Sequence, residues 1–540
     1  MPDLSTADHR VSPPRIEIPR QYNAAHDLIE HNLRAGRGAR PAYVDDFGIY
    51  SYAALAERVN RCAHALTRLG LLPEQRVLLA LSDTVDFPTV FLGSIKAGLV
   101  PVPINTMLQS PDYEFVLKDS RASALVVSGN LLPLFGPLLP RQSNLRHVIV
   151  SRGESAGFWH LDALLAASSA SFEPYPSCAD EPCFWLYSSG STGAPKGTIH
   201  AHASLIQTAE LYARPILALT EEDVIFSAAK LFFAYGLGNA LTFPLAAGAT
   251  TVLMAERPTP EAVFRRLAHH RPTVFCGVPT LYAAMLAFPD APAPESFRLR
   301  TCISAGECLP AHIGEQWVKR FGTDILDGLG STEMLHIFLS NRRGDVEYGT
   351  TGTPVPGYDL RLLDEQGQPV ADGEIGELQV SGPTGAIHYW NNREKTRQTF
   401  HGPWTRTGDK YYRNTRGRYV HAGRTDDMLK VGGIYVSPIE VESALISHPA
   451  VLETAVIGQA DEAGLVKPLA FVVLKGDLVG NPTLAAELQQ HVRAQLAHYK
   501  YPRWIEFCSE LPKTATGKLQ RFKLRELCDA RRAATPHSPS

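Results

Sequence analysis

Between residues 51 and 306, short runs that are apolar throughout alternate with stretches of helical period, and few architectures satisfy that alternation. "SYAALAERVNRCAHALTRLG" (51–70) places Leu55, Val59, Ala63, Leu66 and Leu69 on one face, with Ser51 as N-cap and Gly70 past the end. That pattern predicts a buried amphipathic helix. "RVLLAL" (76–81) follows, then a helical stretch to Ala97, "LVPVPI" (99–104), "ALVVS" (124–128) and "HVIVS" (147–151). The texture resumes with "TTVLMA" (250–255), "PTVFCGVP" (272–279) and "TCISAG" (301–306). Strands without a polar face belong in a parallel sheet covered by helices on both sides, and ligands of such sheets collect where the carboxyl ends of strands meet loops.

From about residue 350 to 423 the chain changes to Gly- and turn-rich short strands such as "GELQVSG" (376–382) and "GRYVHAG" (417–423), a small β subdomain. Beyond Arg424, "LETAVIGQ" and "LAFVVLKG" read as strands, "LAAELQQHVRAQLAHY" as a helix, and "LPKTATGK" (511–518) as a basic loop. The 540 residues exceed what one core supports. The expected division is a flexible N-terminal arm (1–21), a large α/β domain (22–425), a small α+β domain (426–528) and a disordered tail (529–540).

Fifty-two Lys and Arg against 55 Asp and Glu leave a net charge of −3, which supplies no footprint for nucleic acid or a membrane surface. The eight cysteines form no CxxC pair, so neither a zinc site nor a disulfide framework is suggested, and a reducing, cytoplasmic setting is expected. The N-terminus lacks the apolar core of a signal peptide, and Val90 to Ile104 is interrupted by Lys96, Pro101 and Pro103, far short of a membrane span.

"YSSGSTGAPKG" (187–197) packs three glycines, four Ser or Thr hydroxyls and one lysine into a short segment after the apolar "CFWLY". Glycines let backbone amides approach an anion, and Ser188, Ser189, Ser191 and Thr192 add uncharged donors, so the chemistry is that of a phosphate cradle. It is not the GxxxxGK[ST] loop: the glycine spacing is too short, Gly197 follows Lys196, and Pro195 interrupts the turn.

Four further stretches, "SAGE" (304–307), "DGLGSTEM" (327–334), "TGDK" (407–410) and "GRTDDMLKVGG" (423–433), together with 187–197 and Lys518, resemble in order and spacing the acyl-adenylate-forming (ANL) superfamily, over roughly residues 22–528. The resemblance implies that Ser188, Ser189, Gly190, Ser191, Thr192, Gly193 and Lys196 bind ATP phosphates, that Thr332 touches the α-phosphate, and that Glu333 holds Mg²⁺. The backbone around Ala305, Gly306 and Glu307 would line the adenine, Asp327 and Gly328 would join the ATP or AMP site, and Leu329 would give adenine an aliphatic contact where many members carry Tyr. Asp409 would accept from the ribose hydroxyls, Arg424 would reach ribose and phosphate, and Lys518 would stabilise the charge of the adenylation transition state. The small C-terminal domain would swing between half-reactions about Asp426, with Lys430, Gly432 and Gly433 lining the coenzyme A path.

Within the superfamily, "SAAKLFFAYGLGNALTFPL" (227–245), "STEMLHIFLSN" (331–341) and "GRTDDMLKVGGIYVSP" (423–438) most resemble ligases of benzoate and hydroxybenzoates. An aromatic carboxylate is thereby expected in a pocket of Ala234, Tyr235, Gly330, His336 and Ile337, with Gly330 leaving room for a flat ring and His336 giving one polar edge. ATP, Mg²⁺ and coenzyme A are the implied cosubstrates and cofactor, a lysine acetyltransferase and deacetylase acting on Lys518 the implied regulators, and no nucleic acid or membrane partner is expected. Monomer and homodimer both stay open. Loading of a carrier protein in trans and nucleotide binding without catalysis are the competing classes.

Overall fold

The helix expected over 51–70 forms as Tyr52–Arg68, with the Ser51 hydroxyl accepting the Ala54 amide at 3.1 Å as its N-cap. Its inward residues Leu55, Val59 and Leu66 are at most 1% exposed, burial worth about 1.5–3 kcal/mol for each side chain. It packs on the helix Asp86–Lys96, every residue of which is buried, so that second helix shows no amphipathic stripe in the sequence.

The computed structural model describes residues 3–155, 157–190, 193–425, 427–431, 434–461, 465–476, 478–513 and 519–534. The chain divides into two units, Met1–Leu360 with Val380–Arg406, and Arg361–Gln379 with Thr407–Ser540. The first is built on two sheets. One carries five strands, all parallel, in the order Val100–Pro103, Arg76–Ala80, Ala124–Ser128, His147–Ser151 and Trp159–His160. The other has nine strands, with a parallel centre formed by Ile325–Gly330, Thr301–Ser304, Val274–Gly277, Val224–Ser227 and Thr250–Val252. Seven of these ten strands are the apolar runs of the sequence; Trp159–His160, Val224–Ser227 and Ile325–Gly330 are not among them. A separate antiparallel hairpin, Pro182–Gly190 with Gly193–Ala201, takes His388–Tyr389 as its third strand.

The second unit holds a three-stranded sheet, Val451–Ala460, Val466–Leu474 and Trp504–Phe507, packed with the helices Pro438–Ile446 and Pro482–Gln495. It begins earlier than the expected boundary at 426. Asp409 pairs with Arg424 in an antiparallel ladder, while Arg413 binds Asp372 through its guanidinium at 2.6 Å and Gly373 through its carbonyl at 2.8 Å, which ties 361–379 and 407–425 into this unit.

Both termini depart from expectation. Thr6–Asp8 and Arg15–Glu17 pair as a hairpin, and the buried Ser5 donates its backbone amide and hydroxyl to Asp27, each at 2.8 Å. The segment 3–21 is thus folded, not a loose arm. At the other end Arg521–Ala534 is helical past residue 528, with Leu524 buried, Arg521 on Glu442 and Arg525 on Asp427. Both segments depend on partners far away in sequence.

Candidate active site

The glycine-rich segment is a hairpin: Ser188 pairs with Lys196 and Gly190 with Gly193, with an irregularity between the two pairs. Ser188 Oγ is buried without a protein hydrogen-bond partner among the described residues. Lys196 Nζ lies 4.6 Å from the centre of the Tyr389 ring. Ser191, Thr192, Asp426, Gly432, Gly433 and Lys518 lie outside the described residues, and Lys430 stands on the strand Leu429–Val431.

The next contributor is the turn after Ile325–Gly330. This strand pairs with Ile337–Ser340 through Leu329 with Leu339 and Gly330 with Ile337, with a bulge between. A Cβ on Gly330 would stand 2.6 Å from the carbonyl oxygen of His336, so glycine is demanded here by backbone approach, whatever space it leaves for a ring. The turn so formed presents Thr332 and Glu333. His200, on the outgoing hairpin strand, bonds Thr332 O through Nε2 at 2.9 Å; a carbonyl accepts only, so Nε2 carries the proton. Burial lowers the His200 pKa to about 4, and its ring stacks on Phe184 at 5.1 Å. Glu333 is held twice: its carboxylate accepts from the Tyr389 hydroxyl at 2.6 Å, and its carbonyl accepts from Ala386 N at 2.7 Å. Thr384 Oγ1 adds a bond to Met334 O at 2.8 Å.

The aryl-side residues occupy the carboxyl ends of the same sheet. Tyr235, on the helix Ala234–Leu237, donates its hydroxyl toward Gly277 O and Ile303 O at 3.1 and 3.0 Å, the last residue and the next-to-last of two adjacent strands. The hydroxyl is deep and burial pushes its pKa well up, whereas part of the residue stays exposed. His336 is 3% exposed, lies among Tyr212, Tyr235 and Phe243 at 5.4, 5.7 and 4.5 Å, and bonds Tyr235 O through Nε2 at 3.3 Å. Burial lowers its pKa to about 3, so it is a neutral ring; its Nδ1 has no hydrogen-bond partner among the described residues. Ile337 is buried with its side chain against Gly328, whose hypothetical Cβ would sit 2.9 Å from Ile337 Cδ1. Cys276, buried in the same sheet, has its thiol pKa pushed well up by burial and is chemically quiet.

Ala305 is buried, Gly306 has φ of 93°, and Asp327 and Gly328 are buried on the strand that Leu329 and Gly330 complete.

In the second unit, Asp409 is 7% exposed and accepts from Arg424 Nη1 at 3.1 Å, with His421 Nε2 at 3.5 Å. Burial works to raise its pKa, but the Arg424 charge and His421 outweigh it and hold the carboxyl below its usual range. Gly408 has φ of 75°, a conformation that favours glycine, and a Cβ there would stand 2.7 Å from the flexible guanidinium tip of Arg424.

Among the described residues no group of three His, Cys, Asp or Glu could enclose a metal ion. A lone hard carboxylate such as Glu333 fits Mg²⁺, which takes one or two carboxylates and completes its shell with phosphate oxygens and water. Sequence reasoning missed His200 and Tyr389. The former lies four residues past Lys196 and could have been suspected; the latter has no short-range signal.

The family described as AMP-binding enzyme matches residues 29–390, and its C-terminal domain matches 440–518. A benzoate–CoA ligase of Thauera aromatica is 63% identical over 524 residues, 97% of this chain and 99% of the relative. A 4-hydroxybenzoate–CoA/benzoate–CoA ligase of Rhodopseudomonas palustris is 50% identical over 526 residues, 96% of this chain and 97% of the relative. Among solved structures, a benzoate CoA ligase from Burkholderia xenovorans LB400 superposes with a TM-score of 0.87 at 54% identity, over 93% of this chain and 100% of that one. With both the large and the C-terminal domain matched, the chain belongs to the AMP-binding enzyme family, the acyl-adenylate-forming superfamily that its motifs resemble.

Proposed function

We propose that the protein is an AMP-forming aryl-CoA ligase that acts on benzoate first and on hydroxybenzoates less well. The observation that carries this reading is the 63% identity to a benzoate–CoA ligase over nearly the whole of both chains. Supporting it, the Tyr235 hydroxyl is taken up by two backbone carbonyls and the neutral His336 is packed among rings, so the candidate seat offers mostly apolar surface. Such a seat rejects an added hydroxyl only weakly, by about 10²-fold at most.

A carboxylate is a poor acyl donor because oxide would have to leave. In the first half-reaction one carboxylate oxygen attacks the α-phosphorus of ATP in line and pyrophosphate departs; in the second the coenzyme A thiol attacks the acyl carbon and AMP departs. Neither step needs a protein nucleophile, in keeping with the buried Cys276. Ser188, Lys196 and Thr332 serve the phosphates, Asp409 and Arg424 the ribose, and Lys518 the charge that builds on the carboxylate and α-phosphate. Mg²⁺, when bound, neutralises phosphate charge, and Glu333 is the residue that would hold it. Acetylation of Lys518 would remove the ammonium and stop adenylation. No described helix is long and apolar enough to cross a membrane.

The test is AMP release with ATP and Mg²⁺ across benzoate, its hydroxy and amino derivatives, cinnamate, hexanoate and acetate, with and without coenzyme A. Release that requires both acid and coenzyme A, with the highest kcat/KM on benzoate, is expected. Pyrophosphate exchange without coenzyme A turnover would instead indicate carrier loading, and ATP binding with neither would end the catalytic reading.

A further inference from the structure

Tyr389 stands where two separately built parts of the first unit meet. It reaches the phosphate hairpin because His388–Tyr389 pairs with the outgoing hairpin strand, Thr198 opposite Tyr389 and Ile199 opposite His388. Lys196 lies two residues before Thr198 on that strand and therefore diagonal to Tyr389 on the same face, which explains the ammonium 4.6 Å from its ring. The hydroxyl at the far end of the same ring donates to Glu333 at 2.6 Å, a bond to a carboxylate delivered by the nine-stranded sheet. One buried side chain, 3% exposed, thus fixes an ammonium by its face and a carboxylate by its tip. Its own position is set by the ladder behind it and by Phe400 at 5.3 Å. The residues before it are committed to the same turn, through Ala386 N on Glu333 O and Thr384 on Met334 O.

A plain packing role would explain the ring but not a phenol spent on a carboxylate that could otherwise be solvated. Lys196 and Glu333 carry opposite charge, and both contact this one side chain. The ring face offers the ammonium a weak contact that a phosphate can outcompete, and the single phenol bond leaves Glu333 oxygen lone pairs for a hard cation, since a carboxylate accepts more than one bond.

We propose that Tyr389 is a positioning residue for the adenylation step, its hydroxyl aiming Glu333 at the metal-bound nucleotide and its ring parking Lys196 where the phosphates take it over. This rests on the ligase reading above, in which Lys196 and Glu333 serve the nucleotide.

The experiment compares the full-length protein with Tyr389→Phe, which keeps the ring and removes the bond, and with Tyr389→Leu, which removes both. The primary readout is Mn²⁺·ATP affinity by the electron paramagnetic resonance of free Mn²⁺, which needs no turnover. Beside it stand benzoate-dependent pyrophosphate exchange and thioester formation from preformed benzoyl-adenylate. Tyr389→Phe is expected to weaken Mn²⁺·ATP binding about tenfold and to slow exchange by a similar factor, the scale of one hydrogen bond to a charged group, with thioester formation unchanged within about twofold. Tyr389→Leu should cost about a further threefold in exchange. Unchanged Mn²⁺·ATP affinity in Tyr389→Phe overturns the proposal, as does an equal loss in both half-reactions, which would mark general disruption. If the unaltered protein shows no exchange with any acid, the ligase reading fails instead, and the Mn²⁺·ATP comparison still decides the role of Tyr389.

Discussion

The proposed aryl side of the first unit and the Asp409 turn of the second are built by opposite means. Around His336 the polar groups are neutral, buried and bound to backbone: Tyr235 on two strand-end carbonyls, His336 on Tyr235 O. Around Asp409 a buried carboxylate is kept ionised by Arg424 and His421. On the proposed reading the first arrangement would select by shape and dryness and the second by charge, the former for an apolar ring and the latter for a ribose bearing phosphates. A residue changed in either region should therefore move a different constant.

The largest effect should come from the second unit. Lys518→Ala is expected to lower adenylation on the order of 10²-fold or more, as for removal of one preorganised donor to developing charge, and to leave thioester formation from benzoyl-adenylate nearly intact. Equal loss in both half-reactions would remove Lys518 from its assigned role.

Acid should separate the two units. Three buried histidines of the first unit have strongly lowered pKa values, His200 and His202 at about 4 and His336 at about 3. As pH falls below the ordinary histidine value near 6.5, the unfolded chain takes these protons first, so native stability is lost by about 1.4 kcal/mol per pH unit for each site. His31, raised by Asp27, works in the opposite sense and offsets one of them. Asp409, held below its ordinary value, contributes stability above about pH 4 and loses it only as pH falls through its lowered pKa. Hydrogen exchange followed by peptide mass spectrometry from pH 7 to 5 should thus show protection falling in the first unit before the Asp409 ladder; the reverse order would break the comparison.

Asp409→Asn should raise the KM for ATP by about 10- to 10²-fold, the scale of charge-assisted bonds, without altering the ranking of acids. Tyr235→Phe should raise the KM for benzoate by about 5- to 30-fold, because two strand-end carbonyls lose their donor and the helix Ala234–Leu237 loses its tether, with the KM for ATP unchanged. Steady-state kinetics with each substrate varied in turn checks both.

What was legible in the sequence follows from how local each feature is. The parallel strands announced themselves because a strand covered on both faces has no polar positions, and the helix Tyr52–Arg68 because one of its faces is wet. The cradle, Glu333 and Asp409 were visible as motifs whose residues are contiguous. The N-terminal hairpin was not, because Ser5 is ordered by Asp27, 22 residues away, and His9 by Glu210, 201 away. The order beyond 528 is not legible because Arg531 looks like solvated charge until Glu506 is placed beside it. Tyr389 was illegible for the same reason, being 56 residues from Glu333 and joined to Lys196 only by strand pairing. For Gly330 the sequence suggested room for a ring, and the structure adds a bulge that admits no Cβ.

The division of labour is tested most directly by a crossed measurement on two variants, Ala234→Leu, which fills the partly exposed aryl side, and Asp409→Asn. For each, the ratio of kcat/KM for benzoate to that for hexanoate is measured together with the KM for ATP. Ala234→Leu should lower the acid ratio about tenfold and leave the ATP constant in place, and Asp409→Asn should do the reverse, each at the scale of about 1.4 kcal/mol or more. If Ala234→Leu shifts the ATP constant as much as the acid ratio, or Asp409→Asn re-ranks the acids, the separation of ring recognition from nucleotide recognition is contradicted.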